Sequence, residues 1–206
     1  MDIRPIHFLI NYYNPEKPER RAELEKCLKI NVNLEGIQSV HILCDDNVEI
    51  PPFPKVNKVN VIRIGKDRMT YQEFFDYINE NIEKGSIAVI ANCDIECDDS
   101  ISKLREWVTS EQAVTLRRWE LFNGEWKLIP INSSQDLWAF ETPINDFSEK
   151  ADFGLGIPGC DNRIAYIIGE NYELVNPASH IKTKHIHESH ERSYGPRLRG
   201  KIRRVN

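Results

Sequence analysis

Asp94, Glu96, Asp98 and Asp99 crowd into the few residues that follow the apolar run Ile87-Ala88-Val89-Ile90-Ala91. If the backbone stays extended, Asp94 and Glu96 share one face. Two hard oxygen ligands so placed suit Mg²⁺ or Mn²⁺ holding a diphosphate, because these cations take one or two carboxylates plus substrate phosphates. The same acids also read as a solvated turn, with Asp98, Asp99 or Ser100 capping the next helix. A second group lies near the end of the chain, where His185 and His187 project to one face if extended, with His190 close behind. Three histidines so close suggest a site, and one of them meeting Asp94 and Glu96 across a sheet would complete a carboxylate–imidazole cation site.

Other polar residues sit where elements begin or end. Asp45 closes a second strand, where it can receive hydrogen bonds from a base or ribose or simply cap a turn. Lys66 and Arg68 precede a helix and could meet a phosphate together with free backbone N–H groups; solvated loop charges are the ordinary alternative. Asp136 lies at the entry of a strand. Asp161 follows the loop containing Gly154, Gly156 and Gly159 and opens a helix, which makes it a site residue or a cap.

The elements that must position these groups follow from periodicity. His7–Ile10, Val40–Cys44, Val59–Ile64 and Ile87–Ala91 read as strands, the last buried on both faces. Ala22, Leu24, Cys27, Leu28 and Ile30 recur at helical spacing. Thr70 and Glu73 have capping-box spacing ahead of a stripe made of Tyr71, Phe74, Phe75, Ile78 and Ile82. A helix is expected from about Ile101 to Val108. The resulting β-α-β-β-α-β-α order is the first half of a nucleotide-binding α/β sheet, with ligands expected at the carboxyl ends of its strands. No Gly-x-Gly-x-x-Gly and no P-loop occurs at a βα junction of this first half. In the second half, Ala113–Leu116, a hairpin through Asn123-Gly124, Ser134–Phe140, Tyr172–Val175 and Ile181–His187 read as strands, with a helix from about Asn162 to Ile168.

With 206 residues, 40% apolar and 29% charged, the chain suits one α/β domain. No apolar run approaches the length of a membrane helix and Met1–Pro5 leads into no signal core, so the expected compartment is the cytoplasm. Five scattered cysteines favour free thiols over a disulfide framework, and Cys93 and Cys97 lack the second close pair of a structural zinc site, which only the later histidines could replace. Residues 181–206 carry eight Lys or Arg against two Glu, on a chain of net charge −5. This basic arm reads as a solvated tail or as a cover for an anionic ligand or membrane surface. The acidic remainder argues against a nucleic-acid partner.

Taken together, Asn11-Tyr12-Tyr13-Asn14, Thr70-Tyr71-x-x-Phe74-Phe75-x-Tyr77-x-Asn79, Ala91-Asn92-x-Asp94-Ile95, Ser134-Gln135-Asp136-x-Trp138, Gly159-Cys160-Asp161-Asn162-Arg163, Asn176-Pro177 and His185-x-His187-x-Ser189 resemble small GT-A-type glycosyltransferases. Short transferase domains of bacteria and large algal viruses are among these. The resemblance implies a single GT-A-like domain over 1–206: a mixed, mostly parallel sheet flanked by helices, with a smaller hairpin region in the C-terminal half. Residues 1–99 would be the nucleotide-donor half, 100–194 the acceptor half and 195–206 a basic tail. It implies a nucleotide-sugar donor, most often UDP-linked, and a glycan or glycoconjugate acceptor. It also implies Mn²⁺ or Mg²⁺ on an Asp-x-Asp motif, here Asp94-Ile95-Glu96, with His185 or His187 as a further ligand. Glu96 departs from the commoner pattern and, with its longer stem, can fall outside the ligand set. Asp161 or Asp136 would serve as base, Tyr13, Asp45 and Arg68 would contact the nucleotide, and Trp138 would pack on the sugar. A metal-dependent phosphoesterase or nuclease and a non-catalytic nucleotide-sugar binder are the competing expectations.

Overall fold

The computed structural model describes residues 3–131, 134–187 and 197–205. Strand β1 (Ile6–Tyr12) lies in the interior of a seven-stranded sheet, between β2 (Ser39–Cys44) and β4 (Ile87–Ala91), and β3 (Val59–Arg63) forms one edge. These four are parallel. Beyond β4 come β9 (Leu137–Glu141), β6 (Gln112–Leu116) and β10 (Glu173–Val175). Of the seven, β9 alone runs against the rest, antiparallel to both β4 and β6. The expected mixed, mostly parallel α/β sheet is present.

Strand alternation divides the core. Phe8 and Ile10 of β1 join Leu24, Leu28 and Val32 of helix α1 (Pro18–Asn33) on one face. Leu9 joins Tyr71, Phe74 and Ile78 of α2 (Tyr71–Asn81) and Ile164 and Ile168 of α4 (Cys160–Ile168) on the other. β4 is apolar throughout because it is covered on both sides. The Thr70–Glu73 capping box forms as the spacing predicts, each side chain accepting from the other residue's backbone N–H. The helix expected over 101–108 is shorter. A 3₁₀ turn (Asp99–Lys103), capped by the Asp98 side chain, runs into the single α turn of α3 (Leu104–Trp107).

A second sheet of four strands, in the order β5-β11-β7-β8, is built from β5 (Ile95–Cys97), β11 (Thr183–His185), β7 (Trp119–Phe122) and β8 (Glu125–Leu128). Asn123 and Gly124 both adopt positive φ, 51° and 82°, as a tight hairpin turn requires. β5 has no counterpart among the expected strands. The chain leaves the large sheet at Ala91, turns through Asn92-Cys93-Asp94 and enters the small one at Ile95.

The described part of the basic tail is not a free arm. The Leu198 and Arg203 N–H groups donate to the Pro158 and Asn162 carbonyls, both at 2.9 Å, and Val205 is buried in the α2/α4 core. His190 and Ser189 lie outside the described residues. No helix among the described residues is long and apolar enough to cross a membrane.

Candidate functional site

The order β3-β2-β1-β4 reverses direction between β1 and β4, and a crevice forms beyond the carboxyl ends of strands at such a point. A cleft of about 920 Å³ lies there. Asn11, Tyr13 and Arg20 enter from β1 and α1, Asp45 from the end of β2, and Asn92 and Asp94 from the end of β4. Arg118, Asp136, Asp161, His185 and His187 supply the opposite walls. The strand ends leave backbone polar groups and short loops at this edge, which is why polar side chains concentrate here.

Asp94 is the centre of one group. It belongs to the turn before β5, and its carbonyl accepts from the Ile186 N–H at 2.9 Å, which draws the end of β11 against it. His185 Nε2 lies 3.3 Å and His187 Nδ1 3.8 Å from Asp94 Oδ2, and the two imidazoles stack with centroids 5.3 Å apart. One ligand atom from each of the three residues falls within 4.8 Å of the others. Arg20, itself 5% exposed, donates to Asp94 Oδ2 at 2.5 Å and also to Glu23 and the Ile186 carbonyl. Burial works against the Asp94 charge, but His185, His187 and Arg20 outweigh it and hold the carboxyl well below its usual range. Asp94 Oδ1 and both His187 ring nitrogens are buried without a hydrogen-bond partner. Such orphans cost free energy unless something fills the place between them. A divalent cation fits this donor set of one carboxylate and two imidazoles.

Asp136 and Asp161 form the second group. Arg118 Nη1 donates to both Asp136 oxygens, at 3.3 and 3.2 Å, and Asn92 donates to Oδ1 at 2.9 Å. Asp161, in the first turn of α4, accepts from the Cys160 thiol at 3.2 Å. Burial and then the Asp136 charge push Asp161 up toward neutrality, against the pull of Cys160 and Arg118. The two carboxyls thus differ in their neighbours, and the raised one is Asp161.

The other expected residues divide. Tyr13, Asp45 and Arg68 line the cleft. Arg68 donates to the Leu155 carbonyl at 3.0 Å, and Asp45 accepts from the Asp46 N–H, so it caps its own turn as well. Two placements need correction. Glu96 does not share a face with Asp94, because Asp94 lies in the turn and only Glu96 lies on β5; its carboxylate is 2.6 Å from Lys184 Nζ and 3.9 Å from Lys26 Nζ. Trp138 does not reach the cleft. Alternation along β9 places it with Phe140 on the α2/α4 face, fully buried.

Arg20, Asn92 and Arg118 line the cleft and Glu120 stands behind Arg118 and His185; the sequence reading assigns none of them a role. For Arg20 a signal exists: it stands four residues before Leu24 and eight before Leu28, on the apolar stripe of α1. A cation on a buried stripe needs a buried anion. Arg118 and Glu120 carry no such mark, since their partners arrive from β9 and β11.

No protein-family model matches the chain, and no curated protein matches it. Among solved structures, 4-diphosphocytidyl-2C-methyl-D-erythritol synthase from Anaerococcus prevotii DSM 20548 is similar at 11% identity, over 67% of this chain and 70% of that one, with a TM-score of 0.39. HddC from Yersinia pseudotuberculosis is similar at 11% identity, over 68% and 78%, with a TM-score of 0.43. TarS 1-349 from S. aureus is similar at 10% identity, over 63% of this chain and 39% of that one, with a TM-score of 0.41.

Proposed function

We propose that the chain is a metal-dependent glycosyltransferase of GT-A type that moves a sugar from a nucleotide-diphosphate sugar, UDP-linked in the first instance, to an acceptor hydroxyl. The observation that carries this reading is the gathering of Asp94, His185 and His187 at a cleft beyond the strand ends, with Asp94 Oδ1 and both His187 nitrogens buried and unpartnered. These three residues would hold Mn²⁺ or Mg²⁺, which when bound supplies positive charge for a departing diphosphate.

The chain's own groups do the remaining work. Arg20 and Arg68 line the same cleft, where their guanidinium charges would attract phosphate oxygens. Tyr13 and Asp45 stand at the ends of β1 and β2, in position to meet base and ribose. Asp161 takes the proton of the acceptor hydroxyl. Its raised affinity for that proton suits a general base near neutral pH. Asp136 is engaged by Arg118 and Asn92, which leaves Asp161 as the base. Residues 1–99 would supply most of the donor contacts and 100–194 the acceptor side, with His185 and His187 reaching back to the cation. Five free cysteines fit a reducing cytoplasm. A phosphoesterase working through paired metals needs a second ligand group beside the first, and among the described residues Asp94, His185 and His187 form the only one.

Thermal shift tests the reading with UDP and UDP-sugars, each with and without Mn²⁺. A rise in Tm that requires Mn²⁺ and vanishes in His187→Ala is expected. A nucleotide-induced rise independent of metal overturns the cation, and no response to any nucleotide overturns the donor.

A further inference from the structure

The two groups of the cleft are joined by one side chain. Glu120, on β7, places Oε1 2.9 Å from Arg118 Nε and 3.8 Å from His185 Nδ1. His185 presents its other nitrogen, Nε2, to Asp94, and Arg118 presents Nη1 to Asp136. An unbroken line of charged and polar groups therefore runs Asp94–His185–Glu120–Arg118–Asp136. It crosses from the turn after β4, through β11 and β7, to the entry of β9. β7 and β11 are paired in the small sheet, so the carboxylate is delivered to the back of the imidazole by strand geometry. A histidine ligand is oriented by what its second nitrogen meets, and loss of that partner weakens metal binding by roughly 10–100-fold. At 3.8 Å the Glu120 contact is an ion-pair distance, wider than a hydrogen bond, on a carboxylate that is about a quarter exposed.

We propose that Glu120 is a positioning residue: it sets the His185 ring with Nε2 toward Asp94, and Arg118 holds Glu120 in place to do so. This rests on the cation reading above and adds to it a part for the small sheet, which would otherwise only carry the histidines.

Reach and charge can be separated at this position. Glu120→Gln keeps an acceptor at the same distance and loses the charge, whereas Glu120→Asp keeps the charge and withdraws the acceptor by one methylene. Calorimetric titration of Mn²⁺ into the protein free of nucleotide, with Tm in the absence of metal measured alongside, is the experiment. Glu120→Asp is expected to bind Mn²⁺ at least about tenfold more weakly than the unsubstituted protein, and Glu120→Gln to stay within about threefold, with metal-free Tm unchanged in both. The proposal is overturned if Glu120→Asp binds as tightly as the unsubstituted protein, or if Glu120→Gln loses as much as Glu120→Asp. Should the unsubstituted protein bind no Mn²⁺ at all, the cation reading itself fails and takes this proposal with it, a result distinct from unequal variants of a metal-binding protein.

Discussion

Asp161 and Asp136 show how one residue type meets two environments through its neighbours. Asp136 has Arg118 and Asn92; Asp161 has a thiol and the like charge of Asp136. The folded state therefore raises the Asp161 pKa above its unfolded value near 3.9. Between those two values the folded chain holds a proton that the unfolded chain has released, so this group subtracts stability as the pH rises from about 4 toward neutrality. Asp161→Asn should make the ligand-free protein more stable than the unsubstituted one at pH 8 and leave the two equal at pH 4, read as urea midpoints. The same variant should transfer sugar at least about a hundredfold more slowly while still binding the donor. At this scale the sequence is informative about residue types and silent about partners. Asp94, His185 and His187 could be singled out because acids end an apolar run and histidines alternate. Glu96 could not be separated from Asp94, since the turn that parts them depends on where β5 pairs.

At the scale of elements, the loop between β9 and α4 shapes the cleft by what it lacks. Gly154 forms a bridge with Thr70, and a Cβ built there would lie 2.6 Å from Arg68 Cδ. Glycine is needed because the Arg68 side chain passes over it on the way to the Leu155 carbonyl. Gly154→Ala should displace Arg68 and lower UDP affinity about tenfold, the worth of one charge-assisted hydrogen bond. Adding Arg68→Ala to Gly154→Ala should then cost nothing more in the same titration, and a further loss would show that the glycine acts by another route. Long elements with clear periodicity, such as α1, α2 and β4, were legible from spacing. The three-residue strands of the small sheet were harder. β11 lay inside a longer expected run, and β5 was invisible because three residues among carboxylates carry no period.

For the molecule as a whole, two apolar layers on a seven-stranded sheet set the stability, and the expected topology followed from strand order and short connections. The docking of residues 197–205 did not follow. Composition marked them as a basic arm, either a solvated tail or a cover for an anionic ligand or membrane surface, yet Val205 is 4% exposed against the α2/α4 core. Local charge gave no hint of it, because the contacts that dock the segment, Val205 in the core and the Leu198 and Arg203 N–H groups on distant carbonyls, are non-local. Val205→Ala should lower the stability of the chain by about 1–2 kcal/mol, measured from denaturant midpoints, whereas Ile202→Ala, at an exposed position, should change it by less than about 0.5 kcal/mol.

The pairing of β11 with β5 sets Thr183 against Cys97, Lys184 against Glu96 and His185 against Ile95. Side chains along a strand alternate, so a slip of one position would swing Lys184 to the side where His185 now stands and put an ammonium beside Arg20 and Asp94. The mouth of the cleft would then repel the cation proposed for it. Three rungs of a short ladder thus decide the electrical sign of the site, and with it whether a folded molecule is also a working one.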